Sequence, residues 1–153
     1  MTLVRLIHSG LATADLDLSI SFYSEAFGFT VIFRENNITN EIEQMTGQKN
    51  LSCSLAQLSL PDSSHSIELL QFHGYESECG NEPIMPLRPG QGHIALTVKN
   101  FDSCIKKLVA LNAHLLGDIT EFPEGRAAYF REPSGTFFEI SEASVPQRGN
   151  DAN

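Results

Sequence analysis

Two stretches decide the fold: residues 8–28, HSGLATADLDLSISFYSEAFG, and residues 93–113, HIALTVKNFDSCIKKLVALNA. An offset of 85 places His8 over His93, Asp15 over Asn100, Asp17 over Asp102 and Ile20 over Ile105. Identity is low, but the order of element types is the same in both. Each stretch opens as a strand. His93, Ala95 and Thr97 point one way and Ile94, Leu96 and Val98 the other, as period-2 alternation requires. His8, Gly10 and Ala12 share one face in the first copy. A helix follows in each. Leu16, Ile20, Tyr23 and Phe27 recur at helical spacing, as do Phe101, Ile105 and Leu108. Asp15 and Asn100 are suitable N-caps, and Gly28 stands where a left-handed C-terminal cap belongs.

Working outward, the spacing predicts extended segments at 29–33, 52–60 and 67–72 in the first copy. In the second they fall at 115–119, 127–131 and 136–141. The turn EPSG, 132–135, joins the last two as a hairpin. Each copy therefore reads strand, helix, strand, strand, strand. The resulting class is α+β: two βαβββ modules, for which the family resemblance set out below implies a curved, cup-shaped mixed sheet with helices outside. The first copy is longer. From His8 to Glu68 is 60 residues, and from His93 to Glu139 is 46, leaving about 14 extra in ENNITNEIEQMTGQKN, residues 35–50. Asn40 and Glu43 read there as a capping pair and Gly47 as a stop. This insertion, near 36–49, predicts a short helix that is either a lid or a bulge.

One domain covers residues 1–146, with module one at 3–73, a Pro- and Gly-rich linker at 74–92, module two at 93–143 and a polar tail at 147–153. The total of 153 residues fits a single domain, and 41% apolar residues suffice for a packed core. Nineteen acidic against ten basic residues give a formal charge of −9. That disfavours nucleic acid and anionic membrane surfaces as partners. No apolar run approaches a bilayer span, and the N-terminus does not read as a signal peptide, because Arg5, His8, Asp15 and Asp17 interrupt it. Cys53, Cys79 and Cys104 form no C-x-x-C pair, which points to the reducing cytoplasm rather than to disulfides or a thiolate metal site.

Polar residues in apolar strands carry the functional signal. Glu68 lies between Ile67 and Leu69, and Glu139 between Phe138 and Ile140. A carboxylate in such a place is costly to desolvate unless paired or bound to a cation. Taken singly, a strand histidine is more often a hydrogen-bonded structural residue, and a strand glutamate usually faces water. Four such residues at repeat-equivalent places, His8, Glu68, His93 and Glu139, form an N2O2 set suited to a borderline divalent ion: zinc, nickel, cobalt, manganese or iron(II). Arg34, Arg126 and Arg131 are candidates for an anionic substrate group, although a surface role suits each better. His65 and His73 have the opposite strand parity from Glu68, and His114 reads as exposed. Phe22, Tyr23 and Phe27 read as helix-to-sheet packing.

The chain resembles the vicinal oxygen chelate superfamily, which includes glyoxalase I, methylmalonyl-CoA epimerase, extradiol dioxygenases and bleomycin or fosfomycin resistance proteins. The stretches LIHSGLATADLDLSISFYSEAFGF, SIELLQF, GHIALTVKNFDSCIKKL and YFREPSGTFFEIS carry the resemblance, which spans residues 3–143. By that resemblance His8, Glu68, His93 and Glu139 match the family's metal ligands, and the full set looks most like metal-dependent glyoxalase I. The implied function is a lyase or isomerase acting on a small carbonyl or thioester substrate through a metal-stabilised enolate, with Glu139 or Glu68 as the base. The alternatives are an iron(II) extradiol-type dioxygenase and a metal-free small-molecule binding protein. The resemblance also implies a homodimer. Whether one metal site draws on one chain or two stays open.

Overall fold

The computed structural model describes residues 4–75 and 85–143. Module one runs β1 (His8–Ala12), α1 (Leu16–Phe27), β2 (Thr30–Ile38), α2 (Asn40–Thr46), β3 (Ser52–Ser59) and β4 (Ser66–His73). Module two runs β5 (Ile94–Val98), α3 (Phe101–Ala110), β6 (His114–Leu115), β7 (Thr120–Phe122), β8 (Gly125–Arg131) and β9 (Phe137–Glu142). The first sheet has the order β1-β4-β3-β2 and the second β5-β9-β8-β6. In both, the opening strand lies parallel to the closing one and at the sheet's edge. The fold is thus mixed α+β with two sheets, and the repeat is real at the level of hydrogen-bonded topology. Cys79 and residues 76–84 of the 74–92 linker lie outside the described residues, as does the 147–153 tail.

Local chemistry explains most boundaries. Asp15 caps α1 by accepting from the Leu18 amide at 2.9 Å. Gly28 ends it at φ 80°, a left-handed conformation that costs glycine nothing. Asn100 does precede α3 but makes no side-chain cap bond. The expected Asn40–Glu43 pair does not form either. Thr39 is the N-cap of α2, and Glu43 instead accepts from the Asn50 amide at 2.6 Å. β2 runs five residues beyond the predicted Phe33 because β3 offers it a partner as far as Ile38↔Cys53. The segment expected at 115–119 is short. β6 and β7 pair with opposite ends of β8, Leu115 with Phe130 and Thr120 with Ala127. Together they make one interrupted edge.

The two modules share a core. Phe22, Tyr23 and Phe27 of α1 all pack on Phe138 of β9, with ring centroids 5.5–6.3 Å apart. Phe130 stacks on Phe138 at 5.5 Å. Ile67 and Leu69 from β4 and Ile140 from β9 belong to the same buried cluster. Aromatic pairs of this kind add to the burial of apolar surface.

A polar weld crosses the same junction. Glu132 is 1% exposed. Its carboxylate accepts from Ser19 Oγ at 2.9 Å and from the Ser134 and Thr136 amides at 2.7 and 3.1 Å. Thr13 Oγ1 meets Ser134 Oγ at 2.7 Å, and the Tyr23 hydroxyl meets Thr136 Oγ1 at 2.7 Å. Burial pushes the Tyr23 phenol well above its usual range, opposed by the Thr136 bond. EPSG is therefore both a turn and a clamp between modules.

The insertion proves to be a wall. Ile42 of α2 and Leu51 bury against Cys53 and Leu55, with Ile38, Leu70 and Phe72 packed alongside. Leu55, Leu70 and Phe72 lie on the Glu68 face of the first sheet, by strand alternation and by the Leu55↔Leu70 pairing. α2 thus covers part of that face.

Candidate metal centre

The acids sit in identical registers. Gly10 is the Cα partner of Glu68 across β1–β4, and Ala95 is that of Glu139 across β5–β9. These partners are again 85 residues apart. In each module the histidine precedes that partner by two residues and so shares its face. Ile67, Leu69, Phe138 and Ile140 on either side of the acids are buried in the core. The carboxylates therefore point the other way, out of the helix-covered face.

His8 Nε2 lies 3.7 Å from Glu68 Oε1, and His93 Nε2 lies 3.4 Å from Glu139 Oε2. Two donors bound at about 2.1 Å to one tetrahedral or octahedral ion are roughly 3.0–3.4 Å apart. Each pair is thus close to the spacing of adjacent ligands, and imidazole plus carboxylate is a donor set that divalent transition ions accept. The residues present fit such an ion.

The pairs have different surroundings. Gln57, the cross-strand partner of Glu68, donates from Nε2 to Glu68 Oε2 at 2.8 Å. This leaves Oε1 turned to His8. Glu139 has Tyr129 as its cross-strand partner, and the Tyr129 ring meets His93 edge-on at 4.7 Å. The Glu139 side chain is 24% exposed, against 14% for Glu68. Cys53 lies within reach of the Glu68 charge. Burial first, and that charge second, push its thiol up to about 11.

The structure brings the four residues together two by two. Among the described residues no three His, Cys, Asp or Glu side chains converge on one point. The physical reason is the shared core. Both sheets bury their helix-covered faces in it, so both His–Glu faces turn away from it.

Two cavities flank Glu139. The smaller, about 110 Å³, is walled by Phe122, Ala127 and Tyr129. The larger, about 390 Å³, is bordered by Arg126, Glu124 and Glu142. Two of the arginines have other work. Arg34 binds Asp17 at 2.7 Å, and Arg126 binds Asp102 at 2.8 Å and Glu142 at 2.9 Å. Arg131 is the cross-strand partner of His114, which is exposed. His65 pairs with Ser9 Oγ at 3.0 Å and His73 with Ser54 Oγ at 3.3 Å. Sequence reasoning missed Gln57 and Tyr129. Each is the bulky polar side chain in an otherwise apolar run, LAQLSL or AAYF, and that was the available signal.

The sequence pattern of the Glyoxalase/Bleomycin resistance protein/Dioxygenase superfamily matches residues 5–140. The chain belongs to that superfamily. It is 30% identical to the Bacillus subtilis protein YwbC over 139 residues, 89% of this chain and 95% of that one. It is 25% identical over its full length to a lactoylglutathione lyase of Schizosaccharomyces pombe, and it spans 52% of that lyase. The fold is that of a glyoxalase family protein from Bacillus cereus, with a TM-score of 0.79, 23% identity and coverage of 93% of this chain and 95% of the other. A variant of the fosfomycin resistance protein FosX from Listeria monocytogenes, crystallised with manganese(II), shares it at a TM-score of 0.62 and 17% identity, covering 96% of each chain. Members of the superfamily thus include metal-binding proteins that act on small molecules. Among the described residues no helix is long and apolar enough to cross a membrane.

Proposed function

We propose that the protein is a divalent-metal-dependent lyase or isomerase, and that two copies of the chain complete each metal site. The observation that carries this reading is the His–Glu pair repeated at ligand spacing in the same register of both modules. Each pair is half of a four-donor set. Each also lies beside an open sheet edge, since β1 and β5 are edge strands. Val4, Leu6 and Ile7, leading into β1, are 84%, 76% and 63% exposed, an apolar edge that favours being covered. A twofold axis that sets β1 of one copy against β5 of the other unites His8 and Glu68 with the partner's equivalents of His93 and Glu139, twice per dimer.

A zinc, nickel, cobalt, manganese or iron(II) ion held by these donors supplies Lewis-acid stabilisation of the negative charge that develops on a carbonyl oxygen when the neighbouring carbon loses a proton. The remaining work belongs to the chain. Gln57 pins Glu68 and makes it the fixed donor. Among the described residues Glu139 has no such brace, and its carboxylate is the better placed to take the proton and return it to the same or the neighbouring carbon. His93, steadied by the Tyr129 ring, keeps Glu139 aimed into the cup. The two cavities beside Glu139 leave room for a small substrate.

Proton NMR of acetoin in heavy water with metal-loaded protein tests the assignment. The expected result is metal-dependent deuterium uptake beside the carbonyl, lost in Glu139→Gln with metal retained, whereas Glu68→Gln loses metal. Exchange left intact by Glu139→Gln would overturn it.

A further inference from the structure

We propose that the smaller cavity beside Glu139 is a specificity subsite for a short apolar group on an uncharged substrate. This inference rests on the metal-enzyme reading above and adds the substrate class. The cavity owes its existence to β7, which has no separate counterpart in module one. β7 lays Thr120 against Ala127 and Phe122 against Gly125 along one end of β8. Gly125 makes the tight return possible at φ 134°, where a side chain would also press on Glu142 at 3.3 Å. Phe122 and Tyr129 line the cavity above a sheet floor kept low by Ala127, and Glu139 lines it as well. Phe122 and Tyr129 are 54% and 42% exposed. Two half-bare aromatic rings around a recess, next to a candidate catalytic carboxylate, are an apolar surface that an occupant would remove from water.

Size and charge narrow the occupant. A cavity of about 150 Å³ holds a benzene ring. The volume here, about 110 Å³, suits a group of roughly four or five carbons by the same measure. Asp118 and Glu139 line this cavity, and Glu124, Glu139 and Glu142 line its larger neighbour. Arg126 stands among them, but its guanidinium is filled by Glu142 at 2.9 and 3.0 Å and by Asp102 at 2.8 and 3.3 Å. A substrate carboxylate or phosphate placed in this cavity would therefore lie near Asp118, with Arg126 already engaged and the ion's charge already shared by its own carboxylate ligands. A neutral carbonyl compound meets neither cost. Its carbonyl faces His93 and Glu139, and its alkyl group lies on Phe122 and Tyr129.

Two titrations test this. In cobalt(II)-loaded protein, followed by its visible spectrum, isovalerohydroxamate should bind roughly tenfold to fiftyfold tighter than acetohydroxamate, the gain from burying three more carbons. Ala127→Leu, which fills the floor, should bring that ratio towards one, and Phe122→Ala should reduce it several-fold. A ratio near one in the unaltered protein, or one untouched by both substitutions, overturns the subsite. In metal-free protein, isovaleramide should shift the NMR signals of Phe122, Ala127 and Tyr129, with isovalerate at least tenfold weaker. Isovalerate binding as well as the amide overturns the uncharged-substrate assignment. If neither hydroxamate perturbs the cobalt while the amide still shifts these residues, the metal reading falls and the subsite stands. No shifts from the amide remove the subsite whatever the metal does.

Discussion

Mixing two inactive variants tests the shared centre most sharply. His8→Ala removes one donor from the first half-site and leaves His93 and Glu139 paired at 3.4 Å. His93→Ala does the converse and leaves His8 and Glu68 paired at 3.7 Å. Each variant alone presents only three-donor sites. If a site takes one pair from each of two chains, a mixed dimer has one site with both substitutions and one with all four donors. Equal amounts of two chains that exchange freely give about half mixed dimers, and each carries one intact site of two. Co-refolding the variants should thus restore about a quarter of the parent's turnover and of its tightly bound metal. Sedimentation velocity on the same samples checks that dimers are present. A mixture no more active than its components, with dimers present, would refute the cross-chain arrangement.

Two further outcomes follow from the surroundings of the site. Gln57→Leu removes the bond that aims Glu68, and metal affinity, measured by chelator competition, should fall by about tenfold to a hundredfold. Unchanged affinity would show that Gln57 does not orient the ligand. Glu142 is held below the usual carboxylate range, first by its hydrogen bond from Arg126. A lowered folded-state pKa stabilises the fold above the unfolded value and loses that contribution as pH falls through the folded value. Arg126→Met should therefore lower the melting temperature at pH 7. The gap to the parent should close as pH drops below about 4, and a gap constant from pH 7 to pH 3 would contradict this cause.

The architecture was legible because helices and strands advertise themselves by period. The stripe of Leu16, Ile20, Tyr23 and Phe27 and the His93/Ala95/Thr97 alternation are local patterns, and the structure keeps both. Edge strands were less legible, since β2 and β6 are bounded by what β3 and β8 offer them rather than by their own residues. Caps were mixed. Asp15 reaches its amide, whereas Asn100 occupies the right place without making the bond. The carboxylates stood out because buried neighbours flank them on both sides. Gln57 and Tyr129 did not, because a cross-strand partner is set by register, and register depends on loop lengths that single-strand patterns do not encode. The relation between the two His–Glu pairs was beyond the sequence altogether. It depends on which sheet faces bury together, and Phe138 decides that by packing against a helix of the other module.

The clamp built on Glu132 imposes an order of events on the newborn chain. Ser19 and Tyr23 leave the ribosome 113 residues before Glu132 and Thr136, their hydrogen-bonding partners. At ordinary elongation speeds of about 5–20 residues per second, that interval is roughly 6–23 s. Through it the nascent first half holds Phe22, Tyr23 and Phe27 without the Phe138 surface that later seals them. Early translation is thus the period in which this polypeptide most needs a chaperone's shelter, and slowing synthesis between the halves should raise its yield of aggregates.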